Sequence, residues 1–317
     1  MSDTHPHDAS PSVLHLLNQC NRRLERLLQN LRSEHNAEGE LRELAQDVVR
    51  AVELNPDVAL ATIFLSQIAG TYAVRHCIET AVVTVVVARR MGKSAADIQT
   101  VAAAALTMNV GMLRHNDTFQ NKSSPLSSEE MAIVRSHPAQ SADLLKYAGV
   151  QDEEWISCVL LHHENDDGSG YPAGVARPEV TLNAKLLSLA DRYCAQVSAR
   201  NYRKSILSDQ ALRNLREDKA APVDPTLLAH FEAELGEFPP GCLVRLADGE
   251  IGVVSRRQGC SNGLQVHCLR DASGAMLPQA LPRCLTDGEW RITEALTEDQ
   301  ASTRFSLKQI WGEQASL

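Results

Sequence analysis

Residues His162 to Pro172 read HHENDDGSGYP, two adjacent histidines and a glutamate running into a loop that holds Gly168, Gly170 and Pro172. Glycine supplies backbone angles that other residues avoid and proline fixes the exit, so this loop reads as a tight turn. The preceding stretch, Trp155 to His163, has the pattern of a helix. Neighbouring positions on a helix point about 100° apart, so His162 and His163 cannot both face one centre from mid-helix. At a helix end both rings can swing toward one point, and the loop puts them there.

Working outward, His76, His137 and Asp191 each fall on or at the end of a different expected helix. Taken singly, a helix histidine is most often a surface residue or a hydrogen-bonded core residue. Imidazole and carboxylate groups converging from several helices are instead how a bundle builds an interior metal site. The helix boundaries are marked. Ser94 with Asp97 and Ser127 with Glu130 resemble capping boxes, Gly92 closes the helix of His76, and Pro138 is expected to interrupt the helix of His137.

The 317 residues exceed one average domain and predict two or three structural units. Residues 1–11 are polar and expected to be disordered. Across 12–55, Leu14, Leu17, Leu24, Leu27 and Leu28 and then the stretch ELRELAQDVVRAVEL give two amphipathic helices, suited either to dimerisation or to a lid packed on the next domain. From 56 to 219 the period is almost wholly helical, with alanine-rich VAAAALTM allowing close helix approach. After APVDP and FPPG the pattern alternates. Two hairpin signals, one at Asp248-Gly249 and one within LQVHCLRDASGAMLPQAL, make 239–294 a small β-barrel-like unit, followed by a polar tail over 295–317. The expected class is mainly α.

Forty acidic residues against 31 basic give a formal charge of -9, which argues against binding of a nucleic-acid polymer or an anionic membrane. An anionic ligand must meet a local basic site. The longest apolar run, Ala81 to Ala88, is too short to span a bilayer, and the N-terminal MSDTHPHDASPS lacks a secretory pattern. A cytoplasmic location is expected. The eight cysteines show no C-x-x-C pair and predict reduced thiols, and the gaps between the last four match no zinc-knuckle spacing.

The HHENDDGSGYP stretch closely resembles the signature of the HD-GYP family of cyclic-di-GMP phosphodiesterases. RSHP at 135–138, SLAD at 188–191 and ARNYRK at 199–204 match neighbouring family motifs in the same order, so the resemblance covers roughly residues 70 to 210. It implies an HD-superfamily helical bundle with a bi- or trinuclear iron or manganese site that hydrolyses cyclic-di-GMP. It also implies metal-ligand roles for His76, His137, His162, His163 and Asp191, and phosphate contacts at Arg200 and Lys204. Gly170, Tyr171 and Pro172 match the interaction loop, which in the family is linked to docking on GGDEF-type diguanylate cyclase domains.

One motif departs. Where the family has HDIGK, this chain has Met108-Asn109-Val110-Gly111-Met112, which removes a histidine ligand, the aspartate that bridges two metals, and a lysine phosphate contact. An asparagine carbonyl is neutral and cannot hold two cations together as a bridging anion does. Cys194 replaces a second family acid, and Tyr72 replaces the glutamate of three-metal members. His115 and Asp117 could compensate only through a register shift. The expectation is a cyclic-di-GMP signalling protein with one metal or none, acting as a nucleotide sensor or interaction module on a GGDEF-type or other signalling partner, with little or no hydrolysis. The alternative is an active phosphodiesterase with an altered ligand set. Oligomerisation would run through the N-terminal helices.

Overall fold

The computed structural model describes residues 11–120, 122, 124–198, 205–260, 263–285 and 291–317, without side chains at 116, 117, 120 and 258–260. Residues 1–10, the bulk of the expected disordered stretch, lie outside the described residues, as do Arg200 and Lys204. The two leucine-rich stretches form α1 (Val13–Asn30) and α2 (Ala37–Leu54). Leu14, Leu17, Leu24, Leu27 and Leu28 are all buried on α1, as their spacing on one helical face predicts. Then come α3 (Pro56–Phe64), α4 (Tyr72–Arg90) and α5 (Ala95–Thr107). The run Ala81 to Ala88 lies inside α4 and is buried throughout, because a helix apolar on every side must be enclosed on every side. Its valines favour strand locally, and burial overrides that preference. Ala102 to Ala105 are fully buried on α5, which packs against α4. Gly92 ends α4 at φ +69°, with the Lys93 amide donating to the Ala88 carbonyl.

The helical body continues with α6 (Leu113–Gln120), α7 (Ser128–Tyr147), α8 (Glu153–Leu161), α9 (Leu182–Val197), α10 (Ser208–Glu217) and α11 (Pro225–Leu235). Ser127 and Glu130 form a full capping box at α7. At α5 Ser94 accepts from the Asp97 amide but bonds the Asp97 carboxylate through its own hydroxyl, so that box is half made. Pro138 does not interrupt its helix, contrary to the expectation. α7 runs through it. The amide that Pro138 lacks would have bonded the Val134 carbonyl, and the His137 side chain bonds that carbonyl instead, Nδ1 to O 2.6 Å.

The C-terminal part folds as β1 (Leu243–Leu246), β2 (Ile251–Cys260), β3 (Gly263–Arg270), β4 (Met276–Leu285) and β5 (Ile292–Leu296), antiparallel in the order β4-β3-β2-β1-β5. Both expected hairpins are present as β1–β2 and β3–β4. The sheet is barrel-like but open, with Pro278 and Pro282 on edge strand β4, where a missing amide is tolerated. Residues 297–317 are not a free tail. They form α12 (Glu298–Ala301) and α13 (Leu307–Trp311), and bury Ala301, Leu307 and Ala315 in the main core. So few apolar positions in a polar stretch leave no readable period. Six described cysteines are free and buried, but Cys284 is disulfide-bonded, which corrects the expectation of reduced thiols throughout. No helix among the described residues is long and apolar enough to cross a membrane.

Two features fix the sheet to the helices. Arg257 pairs with Asp57 at 2.7 Å and with Glu234. Gly241 lies at φ +97°, where a Cβ would sit 2.8 Å from Ala61 Cα. Gly241→Ala should therefore cost ~2–4 kcal/mol through strain and overlap, read as a fall in Tm of about 5 °C or more. Gly274→Ala, at φ +84° in open space, should cost only ~1–2 kcal/mol. Equal shifts in thermal unfolding would refute the contact.

Candidate metal centre

His162 caps the C-terminal end of α8, and His163 begins the loop, as the glycine-rich stretch requires. His162 Nδ1 bonds the Val159 carbonyl at 2.7 Å, one of the last-turn carbonyls that a helix end leaves without a backbone donor. His137 uses the carbonyl freed by Pro138 in the same way. A carbonyl can only accept, so both rings carry their proton on Nδ1. Their Nε2 atoms then present lone pairs to each other, 3.3 Å apart. His163 joins them, and the three donor atoms lie within 4.8 Å of one another.

Burial, then the neighbouring His162, pushes His137 down to about 3. Burial pushes His162 and His163 down as well. Converging lone pairs on imidazoles that resist protonation are a cavity wanting a cation, so the residues present fit a divalent transition metal. His76 and Asp191 stand beside them. His76 Nε2 bonds Asp191 Oδ1 at 2.7 Å, and the Tyr72 ring stacks on His76 with centroids 5.4 Å apart. Burial would raise the Asp191 carboxyl, but the His76 hydrogen bond and the surrounding imidazoles outweigh it and hold it below the ordinary range.

The loop closes over this group. Tyr171 donates its amide to the His163 carbonyl at 3.1 Å and stacks its ring on His163, centroids 4.7 Å apart. The Arg135 guanidinium lies 5.6 Å from the centroid of the same tyrosine ring. Gly170 is required by close approach, since a Cβ there would lie 2.5 Å from the His163 carbonyl oxygen. Glu164 is buried and accepts from the Ala173 and Gly174 amides at 2.7 and 3.0 Å, which holds the turn from inside. The peptide between Tyr171 and Pro172 is cis.

The departing motif sits at the end of α5. Met108 is fully buried, Asn109 is buried with its side-chain oxygen unbonded, and Met112 ends a short 3-10 turn. Gly111 packs on the His137 carbonyl, 2.7 Å from a hypothetical Cβ, which places this turn against α7. His115 is exposed on α6 and stacks on Phe119, so it offers no substitute ligand. Cys194 is a buried thiol. Two groups escape a reading of the sequence. Glu79 is buried one turn after His76, accepts from Ser198 and lies 3.3 Å from Arg75. Arg192, next to Asp191, lines the cavity above His163. The i,i+4 spacing of Arg75 and Glu79 is the available signal for the first.

A family model described as HD domain matches residues 22–227. The chain belongs to the HD domain family. Its GYP loop and its relatives place it with the HD-GYP proteins. A cyclic di-GMP phosphodiesterase of Pseudomonas aeruginosa is 28% identical over 219 residues, 69% of this chain and 52% of the relative. A 3'3'-cGAMP-specific phosphodiesterase of Vibrio cholerae is 30% identical over 168 residues, 53% of this chain and 36% of the relative. The chain spans about half the length or less of these curated relatives. A solved HDG"Y"P protein from Bdellovibrio bacteriovorus shares the fold with a TM-score of 0.57 at 18% identity, covering 73% of this chain and 74% of that one.

Depressed histidines tie stability to acid. A buried imidazole whose folded value lies below the unfolded ~6.5 contributes stability that is complete above that value and is lost as pH falls. For His137 the window runs from there down to about 3. The metal-free HD-GYP protein should lose up to ~1.4 kcal/mol per pH unit per such histidine below pH ~6.5. His137→Gln should flatten that slope in denaturant titrations from pH 7 to 5, and an unchanged slope would contradict the assignment.

Proposed function

We propose that this chain is a cyclic-di-GMP signalling protein of the HD-GYP family that acts as a nucleotide sensor or interaction module, with little or no hydrolysis. The observation that carries this reading is Asn109. Its neutral side-chain oxygen is buried without a hydrogen-bond donor at the motif position where the family's bridging carboxylate is expected. His137, His162 and His163, with Asp191 and His76 beside them, would hold a metal, iron or manganese by family resemblance. When bound, such a cation polarises phosphoryl oxygens and lowers the pKa of water.

The chain's own groups do the rest. Imidazoles locked through Nδ1 keep their donor atoms aimed inward, and the half-buried Tyr171 covers His163 with its ring. A second cation would bring more positive charge among neutral donors, with Asp191 the one carboxylate among the described ligand candidates to offset it, since Asn109 adds no charge. The intact GYP loop supports a docking role, because its backbone is held rigidly by Glu164. The assembled histidine group also supports a second reading, an active phosphodiesterase that works with an altered ligand set.

Elemental analysis of anaerobically purified protein should give fewer than two transition metals per chain, and hydrolysis of cyclic-di-GMP to linear product should be absent or far below that of an intact relative. Two stoichiometric iron or manganese ions, with turnover that His162→Ala abolishes, would establish the second reading instead. Met108→His, Asn109→Asp and Met112→Lys together restore the three missing family groups, and the triple variant should take up additional metal. A folded triple variant that takes up none would show that the cavity has been remodelled around the pure interaction role.

A further inference from the structure

The N-terminal hairpin of α1 and α2 is tied by polar contacts to two of the helices that carry the histidine group. On α2, Glu38 and Arg42 lie one turn apart and together hold the start of α8. Arg42 Nη2 bonds Asp152 Oδ2 at 2.8 Å, its Nε bonds Glu38 at 2.9 Å, and its guanidinium lies 5.6 Å from the centroid of the Trp155 ring. Glu38 also accepts from the Gln151 amide at 2.8 Å. Asp152 is the N-cap of α8, and its other oxygen accepts from the Trp155 amide at 2.9 Å. Trp155 is fully buried and donates its indole N–H to Thr107, the last residue of α5. From Asp152 to His162 the helix rises ~15 Å. The end of this rod that carries a candidate metal ligand is therefore set by the end that α2 grips.

On α1, Asn18 and Asn21 lie three residues apart on one face, and both are buried. They hold the loop that leads into α4. Asn18 donates to the Gln67 carbonyl at 3.2 Å and accepts from the Ala69 amide at 2.9 Å, and Asn21 donates to the Ala69 carbonyl at 2.6 Å. Gly70 permits this approach, with φ at +116° and a hypothetical Cβ only 2.6 Å from Asn21 Nδ2. Two residues further on, α4 begins with Tyr72, whose ring stacks on His76.

We propose that the N-terminal hairpin positions the metal centre, Arg42 setting α8 and with it His162, and Asn18 and Asn21 setting the start of α4 and with it His76. The proposal rests on the histidine group holding a cation. Apolar contact alone would press the hairpin onto the bundle without fixing where either helix stops along its axis, because the hydrophobic effect is non-directional. Hydrogen bonds to an N-cap carboxylate, and to both polar groups of Ala69, are directional and specify one position. A ligand set needs such definition, since donor atoms more than about half an ångström out of place lose their geometry. His162 and His76 stand on different helices, and α1 and α2 pack on each other. A single body thus grips both.

Titration calorimetry of the full chain with Mn(II) as the probe tests this on wild type, Arg42→Ala, Arg42→Lys, Asn18→Ala and Arg257→Ala. Arg257 makes comparable ion pairs on the sheet side and touches neither contact set, so its variant reports loss of stability alone. Arg42→Ala and Asn18→Ala should each weaken Mn(II) binding by about fivefold or more, less than removal of a group bonded directly to a ligand, while Arg257→Ala stays within about twofold. Arg42→Lys keeps the charge without the forked bond and should recover part of the affinity. Linkage is reciprocal, so Mn(II) should slow hydrogen exchange at the Gln151, Trp155 and Ala69 amides of wild type. Arg42→Ala should remove the effect at Gln151 and Trp155. Arg42→Ala and Asn18→Ala both within the Arg257→Ala limit, an equal loss in all three, or unchanged exchange at all three amides would overturn the proposal and leave the metal centre standing. Wild type that binds neither Mn(II) nor, under anaerobic conditions, Fe(II) would overturn both. Should Arg42→Ala fail to fold by circular dichroism, Arg42→Lys and Asn18→Ala decide.

Discussion

The arrangement of the site depends on two helix carbonyls that have lost their backbone donors. One is the Val134 carbonyl, orphaned by Pro138. The other is the Val159 carbonyl, in the last turn of α8. Each is taken by the Nδ1–H of a histidine three residues further on. A side chain bonded back to its own helix has little rotational freedom, so both Nε2 atoms are aimed before any ligand arrives. The cost is two lone pairs facing each other at 3.3 Å in a buried space. That repulsion is what a cation would relieve, and it explains why protonation, opposed by burial, is a poor substitute.

Preorganisation of this kind needs a stiff frame, and α4 provides it. Its middle is enclosed by the bundle on every side, so His76 at one end and Gly92 at the other are fixed relative to α5 and α9. The loop above His163 is stiffened differently. Glu164 is a buried carboxylate that bonds backbone amides rather than a cation, and Gly170 is packed so tightly that no side chain fits. The rigid turn and one of the two aimed imidazoles, His162, thus share one short segment, residues 162 to 174.

Much of this is legible in the sequence because it is local. The apolar stripe of α1, the turn at Asp248-Gly249 and the glycine-rich end of α8 each follow from spacing within a dozen residues. Pro138 defeats the same reading for an instructive reason. Proline inside a helix removes a donor, and spacing alone gives no hint that the histidine before it supplies another. The folding of residues 297–317 depends on Ala301, Leu307 and Ala315 reaching a core built by distant helices, and three isolated positions carry no period. Arg192 escapes notice because its meaning comes from Asp218 across the cavity, 26 residues away. Metal ligands announce themselves by type, whereas a cavity wall is defined only by what faces it.

The turn that follows α5 separates packing from charge. Met108 is fully buried and surrounded by the main core, and Asn109 beside it is buried too. A motif that had merely decayed would be expected to leave polar gaps or a loosened turn. Here methionine, flexible and apolar, fills its space within the core, while the following turn packs Gly111 on the His137 carbonyl. The frame that aims His137 keeps its packing although the turn after α5 carries methionine and asparagine. Charge at position 109 and packing at position 108 are separable effects, since a neutral Asn109 bears on electrostatics and a buried Met108 on the shape of the core. A protein that needed only the shape, to bind a nucleotide or to present its loop, would keep the second and could forgo the first.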